Sequence, residues 1–154
     1  MTTAEVFELL DRHRMERVKL GVFDIDGLLR GKHISRSKFE SAASAGLGFC
    51  DVIFGWDIGD VLYEGVPVTV TGWHSGYPDA SARVDLSTFR LIPWETGTAF
   101  FLIDLCDASG TPLEVAPRAV LERVIAQARS QGFEPFCASE YEFFCFSETP
   151  ASLR

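Results

Sequence analysis

The sequence has few of the residues that build zinc sites and disulfide frameworks. Its 154 residues include only four cysteines and three histidines, and no two cysteines form a C-x-x-C pair. Each cysteine lies among apolar neighbours, as Cys145 does between Phe144 and Phe146. Such a context is typical of small buried residues in a reducing compartment. We therefore predict buried, unpaired thiols rather than a zinc site.

Basic residues and long apolar runs are also scarce. The chain has 14 Lys and Arg against 22 Asp and Glu, a net charge of −8. Nucleic-acid binding depends on neutralising phosphates, so this charge disfavours nucleic acid as a partner, whereas a divalent cation would suit it. With no long apolar run at the N-terminus, we expect no secretory signal, no membrane span and a cytoplasmic location.

Apolar residues, in contrast, are plentiful enough for a folded core. The sequence is 47% hydrophobic and contains 13 phenylalanines, a composition typical of globular proteins. A chain of this length provides one ordinary domain, or one small domain and the beginning of another.

The first 48 residues predict a helix, a hairpin and a second helix. The signals are capping-box spacing at the start of each helix, apolar alternation in the strands and an Asp-Gly turn between them. Thr2 and Glu5 mark the start of the first helix. The hairpin consists of a strand over 18–22, the turn at Asp26-Gly27 and a return strand over 28–34. Ser37 and Glu40 mark the start of the second helix, which ends at Gly46 or Gly48.

The remainder predicts a long loop and then a strand-helix-strand unit. Residues 49–82 show no clean period, and ordered loops of this length are usually functional. After them we predict strands over 89–92 and 99–103, a turn over 107–110, a helix from Pro117 to Gly132, and a strand over 136–146. This order fits a small α+β domain over residues 1–110, followed by the start of an α/β domain over residues 111–154.

Glu140 and Glu142 are candidate metal ligands. On the predicted strand, side chains two residues apart share one face, about 7 Å apart. Two carboxylates placed so can bind a hard divalent cation through oxygen. The alternative is a solvated edge strand with two exposed acids, although Phe144 and Phe146 continue the same face and make unpartnered carboxylates costly there. Spacing alone leaves both possibilities open.

A second motif suggests a phosphatase. Asp24 and Asp26-Gly27, after an apolar strand, resemble the first motif of haloacid-dehalogenase-type phosphatases, in which one Asp is the nucleophile and the next a general acid. Leu28 stands where that family has Thr, and the acidic residues Asp60 and Glu64 come too soon for its second motif. A hairpin turn is the better-supported interpretation.

Taken in order, several segments resemble the glutamine synthetase family. The resemblance extends from about residue 15 to residue 146, and its Arg-Gly-Lys element is closest to the branch with γ-glutamyl-polyamine ligases. The segments are Val22-Phe23-Asp24-Ile25-Asp26-Gly27, Arg30-Gly31-Lys32, Gly48-Phe49-Cys50-Asp51, Phe54-Gly55-Trp56, Tyr77-Pro78-Asp79, Asp85-Leu86-Ser87-Thr88, Ile92-Pro93-Trp94, Thr98-Ala99, Ala116-Pro117-Arg118-Ala119-Val120-Leu121 and Glu140-Tyr141-Glu142-Phe143-Phe144.

The resemblance implies a fold and a set of site residues. It implies a β-grasp N-terminal domain followed by the first helix and strand of the catalytic domain. Glu140 and Glu142 would be ligands of two Mg²⁺ or Mn²⁺ ions. Asp51 would reach the active site of a neighbouring subunit in a homo-oligomer and there hold and deprotonate ammonium or an amine, while Trp56 would only pack.

The implied reaction is an ATP-dependent ligation. The γ-carboxylate of glutamate is phosphorylated, and an amine then displaces the phosphate to form an amide. The family's other metal ligands, nucleotide loops and substrate arginines lie downstream of the matched segments, so we expect these 154 residues alone to be inactive. A non-catalytic β-grasp module for oligomerisation or binding is the alternative, and the identity of the amine stays open.

Overall fold

The computed structural model describes residues 1–64, 71–149 and 151–152. Within them, the chain forms five strands with helices before, between and after them. The elements are α1 (Thr3–Arg12), β1 (Arg17–Phe23), β2 (Leu29–Ser35), α2 (Arg36–Ala45), β3 (Leu47–Cys50), a 3-10 helix (Asp51–Phe54), β4 (Asp79–Leu91), β5 (Thr98–Cys106) and α3 (Pro117–Ser130).

The five strands form one mixed sheet in the order β2-β1-β5-β4-β3. β1 and β5 are parallel neighbours in the middle, and the other pairs are antiparallel. The mixed α/β class is thereby confirmed, whereas the β-grasp description and the boundary between residues 110 and 111 stay predictions. No helix in the described part of the chain is long and apolar enough to cross a membrane.

The core lies on one face of the sheet, under α1 and α2. The apolar sides of these helices meet the alternate residues of β1 and β5, and the Phe39 ring stacks on Phe101 with 4.7 Å between centroids. The fully buried apolar side chains include Val6, Leu10, Val18, Leu20, Phe39, Phe101 and Leu105.

The helix starts show where local signals succeed. The capping box of Thr2 and Glu5 is present, and Gly46 ends α2 with φ +72°. The predicted start of α2 at Ser37 is wrong, because the Ser35 hydroxyl accepts a hydrogen bond from the Lys38 amide at 3.2 Å. Ser35 is the last residue of β2 and still extended, which is the backbone state that an N-cap needs.

The strand β4 is longer than predicted and is interrupted by a bulge. It begins at Asp79, inside the predicted loop 49–82, of which residues 65–70 lie outside the described part. Its register against β5 shifts between Asp85 and Arg90. At the bulge the Thr88 hydroxyl accepts from the Leu102 amide at 2.8 Å and donates to the Asp85 carbonyl at 2.6 Å. This hydroxyl thus binds two backbone groups where the ladder register shifts.

An arginine at the start of α3 fastens that helix to the sheet. Arg118 donates from Nη1 to both carboxylate oxygens of Asp104, at 2.7 and 2.8 Å, and from Nη2 to Asp85. Burial raises the pKa of Asp85, but hydrogen bonds from Ser87 and Arg118 outweigh it, so the pKa lies below its ordinary 3.8. The folded state is therefore stabilised by the ionised Asp85.

The predicted strand over residues 136–146 is wrong. The segment after α3 forms no regular structure in the described residues, because none of their strands lies beside it to complete a ladder. Its aromatic side chains are exposed, as are Leu121 and Val124 on α3. Cys137 and Cys145 lie in this segment and are exposed too, so the prediction of buried thiols holds for Cys106 but is wrong for these two.

We expect the Thr88→Val substitution to lower the free energy of unfolding by about 1–3 kcal/mol, because two partly buried backbone groups lose their hydrogen-bond partner. Urea denaturation followed by circular dichroism measures the change. Thr88→Ser keeps the hydroxyl and should cost clearly less. Equal losses from Val and Ser would contradict this role of the hydroxyl.

We expect Asp85→Asn to weaken the acid sensitivity of folding. Because the folded-state pKa of Asp85 is lowered, its stabilising contribution is present above the unfolded pKa and is lost as the pH falls below about 4. The variant should therefore lose less stability than the wild type in that range, and Ser87→Ala should change the slope in the same direction by less. Urea denaturation at a series of pH values is the measurement, and identical slopes would refute the assignment.

Candidate functional site

Asp51 is a buried carboxylate at the edge of the sheet. It follows β3 directly and is the first residue of the 3-10 helix, with 6% of its surface exposed. The Thr71 hydroxyl donates to its Oδ1 at 2.6 Å, and its backbone amide donates to the Pro78 carbonyl at 3.1 Å. Among the described residues no donor lies on its second carboxylate oxygen. The side chain is thus fixed in direction and has one oxygen left for a ligand.

Two aromatic residues, Trp73 and Tyr77, contact each other near Gly55 at the end of the 3-10 helix. Tyr77 has φ +49°, its carbonyl accepts from the Cys50 thiol at 3.3 Å, and its ring lies edge-on to Trp73 with centroids 5.5 Å apart. A Cβ built on Gly55 would lie 2.8 Å from the Thr71 methyl carbon and 3.9 Å from Tyr77 Cε1. The absence of a side chain at Gly55 therefore lets Thr71 and Tyr77 close over the 3-10 helix.

The hairpin tip between β1 and β2 contains a second buried carboxylate. Asp24 is completely buried. Its Oδ1 accepts from the amides of Asp26 and Leu28 at 3.0 and 2.8 Å, and its Oδ2 accepts from Arg30 Nε at 2.7 Å. Both oxygens are thus engaged in holding a turn of an antiparallel hairpin, with Gly27 at φ +80°. This geometry contradicts the phosphatase alternative, whose nucleophile needs a free oxygen.

Arg30 connects the hairpin to the segment that follows the 3-10 helix. Its Nη2 donates to the Asp57 carbonyl at 3.2 Å, its Nη1 pairs with Asp60, and its guanidinium lies 5.2 Å from the ring centroid of Trp56. The hydrogen bond to Asp24 is the largest of the effects that raise the pKa of Arg30. The hydrogen bond to Asp60 and the charges of both carboxylates raise it further, and together these effects outweigh desolvation, which lowers it. The resemblance includes Arg30 without giving it a role, and its partners 27 and 30 residues further along carry no local signal in the sequence.

Glu140 and Glu142 are exposed and lie in the irregular segment after α3. The predicted sharing of one strand face is therefore wrong, while their role as metal ligands stays a prediction. No three His, Cys, Asp or Glu of the described residues are arranged to hold a metal ion. Two carboxylates are the right ligand type for Mg²⁺ or Mn²⁺, but such ions need further oxygen ligands in defined geometry.

Comparison with known proteins identifies the family. The chain is 49% identical to type-1 glutamine synthetase 2 of Dictyostelium discoideum over 136 residues, covering 88% of this chain and 26% of that protein. It is 37% identical to a glutamate–isopropylamine ligase of Pseudomonas sp over 150 residues, which are 97% of this chain and 32% of that protein. It thus spans about a quarter to a third of the length of these relatives.

Solved structures agree on the fold. A structure of a GmaS/ADP complex superposes with a TM-score of 0.61 at 21% identity, covering 82% of this chain and 26% of the other. No protein-family model matches the chain. The sequence similarity to named synthetases and ligases, together with this shared fold, supports a single conclusion. The chain belongs to the glutamine synthetase family.

Proposed function

We propose that the chain is part of an ATP-dependent ligase that joins glutamate to ammonium or an amine. The observation that carries the proposal is the buried Asp51 carboxylate, fixed by Thr71 at 2.6 Å, at the position for which the family resemblance implies amine binding. One relative of the chain is named a glutamine synthetase and another a glutamate–isopropylamine ligase.

The proposed chemistry of Asp51 follows from its burial. A carboxylate that is withdrawn from water attracts a cation more strongly than one in bulk solvent. Ammonium and alkylammonium ions have no lone pair, so they attack only after losing a proton, which Asp51 would accept. The neutral amine then forms the C–N bond at the carbonyl carbon of the phosphorylated γ-carboxyl group, and phosphate leaves with the electron pair of the broken C–O bond. The nitrogen loses a second proton to give the amide.

Glu140 and Glu142 would supply the metal-binding side of the site. In the proposed enzyme they would hold Mg²⁺ or Mn²⁺, which neutralises charge on the phosphoryl group that ATP transfers. Two carboxylates do not complete such a site. We therefore expect these 154 residues alone to be inactive, and we propose that the enzyme is a cytoplasmic homo-oligomer in which Asp51 completes the site of a neighbouring subunit.

A second function is a non-catalytic module for oligomerisation or binding. The observation that favours it is the self-contained core. The sheet, α1 and α2 bury one another together with Ala116 and Ala119, while the described residues from 133 onwards contribute none to that core. On this alternative, residues 1–110 would be a β-grasp domain that functions without catalysis.

We expect Asp51→Asn in the complete gene product to lower kcat/KM for ammonium or the preferred amine about 100-fold or more, because a positioned general base is lost. Asn keeps the shape and still accepts the Thr71 hydrogen bond. The assay measures phosphate release with ATP, glutamate, Mn²⁺ and each amine. Asp26→Asn, in an exposed turn, is the matched control and should leave the rate unchanged.

The same assay separates the two functions. If the complete product is active and its activity depends on Asp51, the ligase is supported. Glu140→Gln and Glu142→Gln should then each raise the Mn²⁺ concentration that half-maximal activity requires. A complete product that is inactive with every amine would refute the ligase and favour the binding module. Activity from the 154 residues alone would contradict the expected need for further ligands.

A further inference from the structure

The segment of residues 71–78 holds Asp51 at two points. At its start the Thr71 hydroxyl donates to Asp51 Oδ1 at 2.6 Å, and at its end the Pro78 carbonyl accepts from the Asp51 amide at 3.1 Å. We propose that Thr71 is a positioning residue that holds Oδ1, so that Oδ2 is presented to the proton of the amine. This inference rests on the role of Asp51 in the proposed ligase and adds a residue that acts only through Asp51.

The hydrogen bond between Thr71 and Asp51 is shielded from water. Thr71 is 1% exposed and Asp51 is 6% exposed, so little water competes for the hydroxyl proton or for Oδ1. Its length of 2.6 Å is that expected of a hydroxyl donor on a carboxylate, and such a bond is stronger than one between neutral groups. Because a hydroxyl has a single proton, Thr71 directs one carboxylate oxygen and leaves the other.

The backbone around Thr71 is held without the help of the Asp51 side chain. In the turn that follows, the Gly72 amide donates to the Ser75 hydroxyl at 3.1 Å, and that hydroxyl donates to the Gly72 carbonyl at 3.0 Å. The Ser75 amide donates to the same carbonyl at 3.1 Å, and the bond to Pro78 joins two backbone groups. Removing the Thr71 hydroxyl should therefore free the carboxylate without releasing the segment.

Gly55 leaves the space that the Thr71 methyl group needs. A Cβ added at Gly55 would lie 2.8 Å from the Thr71 methyl carbon, which is closer than two non-bonded carbon atoms approach. Its next neighbours would be the Val52 carbonyl oxygen at 3.5 Å and Tyr77 Cε1 at 3.9 Å, both ordinary contact distances. The Gly55 backbone has a negative φ of −120°, which residues with a side chain also adopt. An added methyl group would thus act on Thr71 by contact.

The first experiment measures steady-state kinetics of the complete gene product. We expect Thr71→Val to lower kcat/KM for ammonium or the preferred amine about tenfold, because the carboxylate loses the charge-assisted hydrogen bond that orients it. The KM values for ATP and glutamate should not change, and Thr71→Ser should keep most of the rate because it keeps the hydroxyl. The matched control is Thr88→Val, which removes a threonine hydroxyl at the β4 bulge and should leave the kinetic constants of the folded protein unchanged.

The second experiment uses the contact with Gly55. Gly55→Ala alone should lower kcat/KM for the amine about as much as Thr71→Val does, because the new methyl group displaces Thr71. Adding Thr71→Ser removes the methyl carbon that the new Cβ would meet and keeps the hydroxyl, so the double variant should regain most of the rate. A double variant as slow as Gly55→Ala would contradict the positioning by Thr71.

Kinetics of Asp51→Asn separate the two proposals. In that background Thr71→Val should cause no further loss, because the base that it positions is already absent. If Asp51→Asn leaves the rate unchanged, the proposed role of Asp51 is refuted. If Asp51→Asn lowers the rate and Thr71→Val does not, only the positioning role of Thr71 is refuted.

Crystal structures of the variants test the positioning without any turnover. We expect the Asp51 carboxylate to leave its rotamer in Thr71→Val and to keep it in Thr71→Ser. A carboxylate that stays in place in Thr71→Val would overturn the positioning role, whatever the kinetics show. A displaced carboxylate in a product that is inactive with every amine would support the positioning role and refute only the ligase.

Discussion

The structure depends on how it satisfies one buried charge, the carboxylate of Asp24. A fully buried carboxylate is costly unless hydrogen bonds and an opposite charge surround it. Two turn amides and Arg30 supply them here, and Arg30 then donates to the Asp57 carbonyl and pairs with Asp60. Arg30 thereby connects the hairpin to residues 57 and 60, which follow the 3-10 helix that begins at Asp51.

Local signals in the sequence predict the parts of this fold that neighbouring residues decide. The Thr2 capping box, the Asp26-Gly27 turn and the α2 end at Gly46 each rest on contacts within a few residues, and each is confirmed. The extent of β4 could not be predicted in this way, because its first residues become a strand by pairing with β3 and β5. Long-range pairing likewise decides against the strand over 136–146, because no strand of the described residues lies beside it to pair with.

In the candidate site too, local sequence signals do not predict contacts between residues that are far apart in the chain. Asp51 has no local motif, and only the ordered resemblance singled it out, since its partner Thr71 lies 20 residues further along. The contacts of Arg30 could not be predicted either, because its hydrogen-bond partners, 27 and 30 residues away, lie in a segment without periodicity. For Glu140 and Glu142, the residue types indicate oxygen ligands for a metal ion, but their spacing does not fix where the two carboxylates lie. Their positions depend on pairing with a neighbouring strand, and the described residues contain no such strand.

These contacts also explain how the proposed amine-binding element can be rigid before the rest of a site assembles around it. Asp51 is held by β3, by Thr71 and, through the Trp56 segment, by Arg30, and none of these contacts involves residues beyond 133. A carboxylate that is already oriented requires no reorganisation when the reaction begins, which is the condition for strong electrostatic catalysis. In the proposed shared site, one subunit would then bring a prearranged amine-binding carboxylate to the metal-bound phosphoryl chemistry of another.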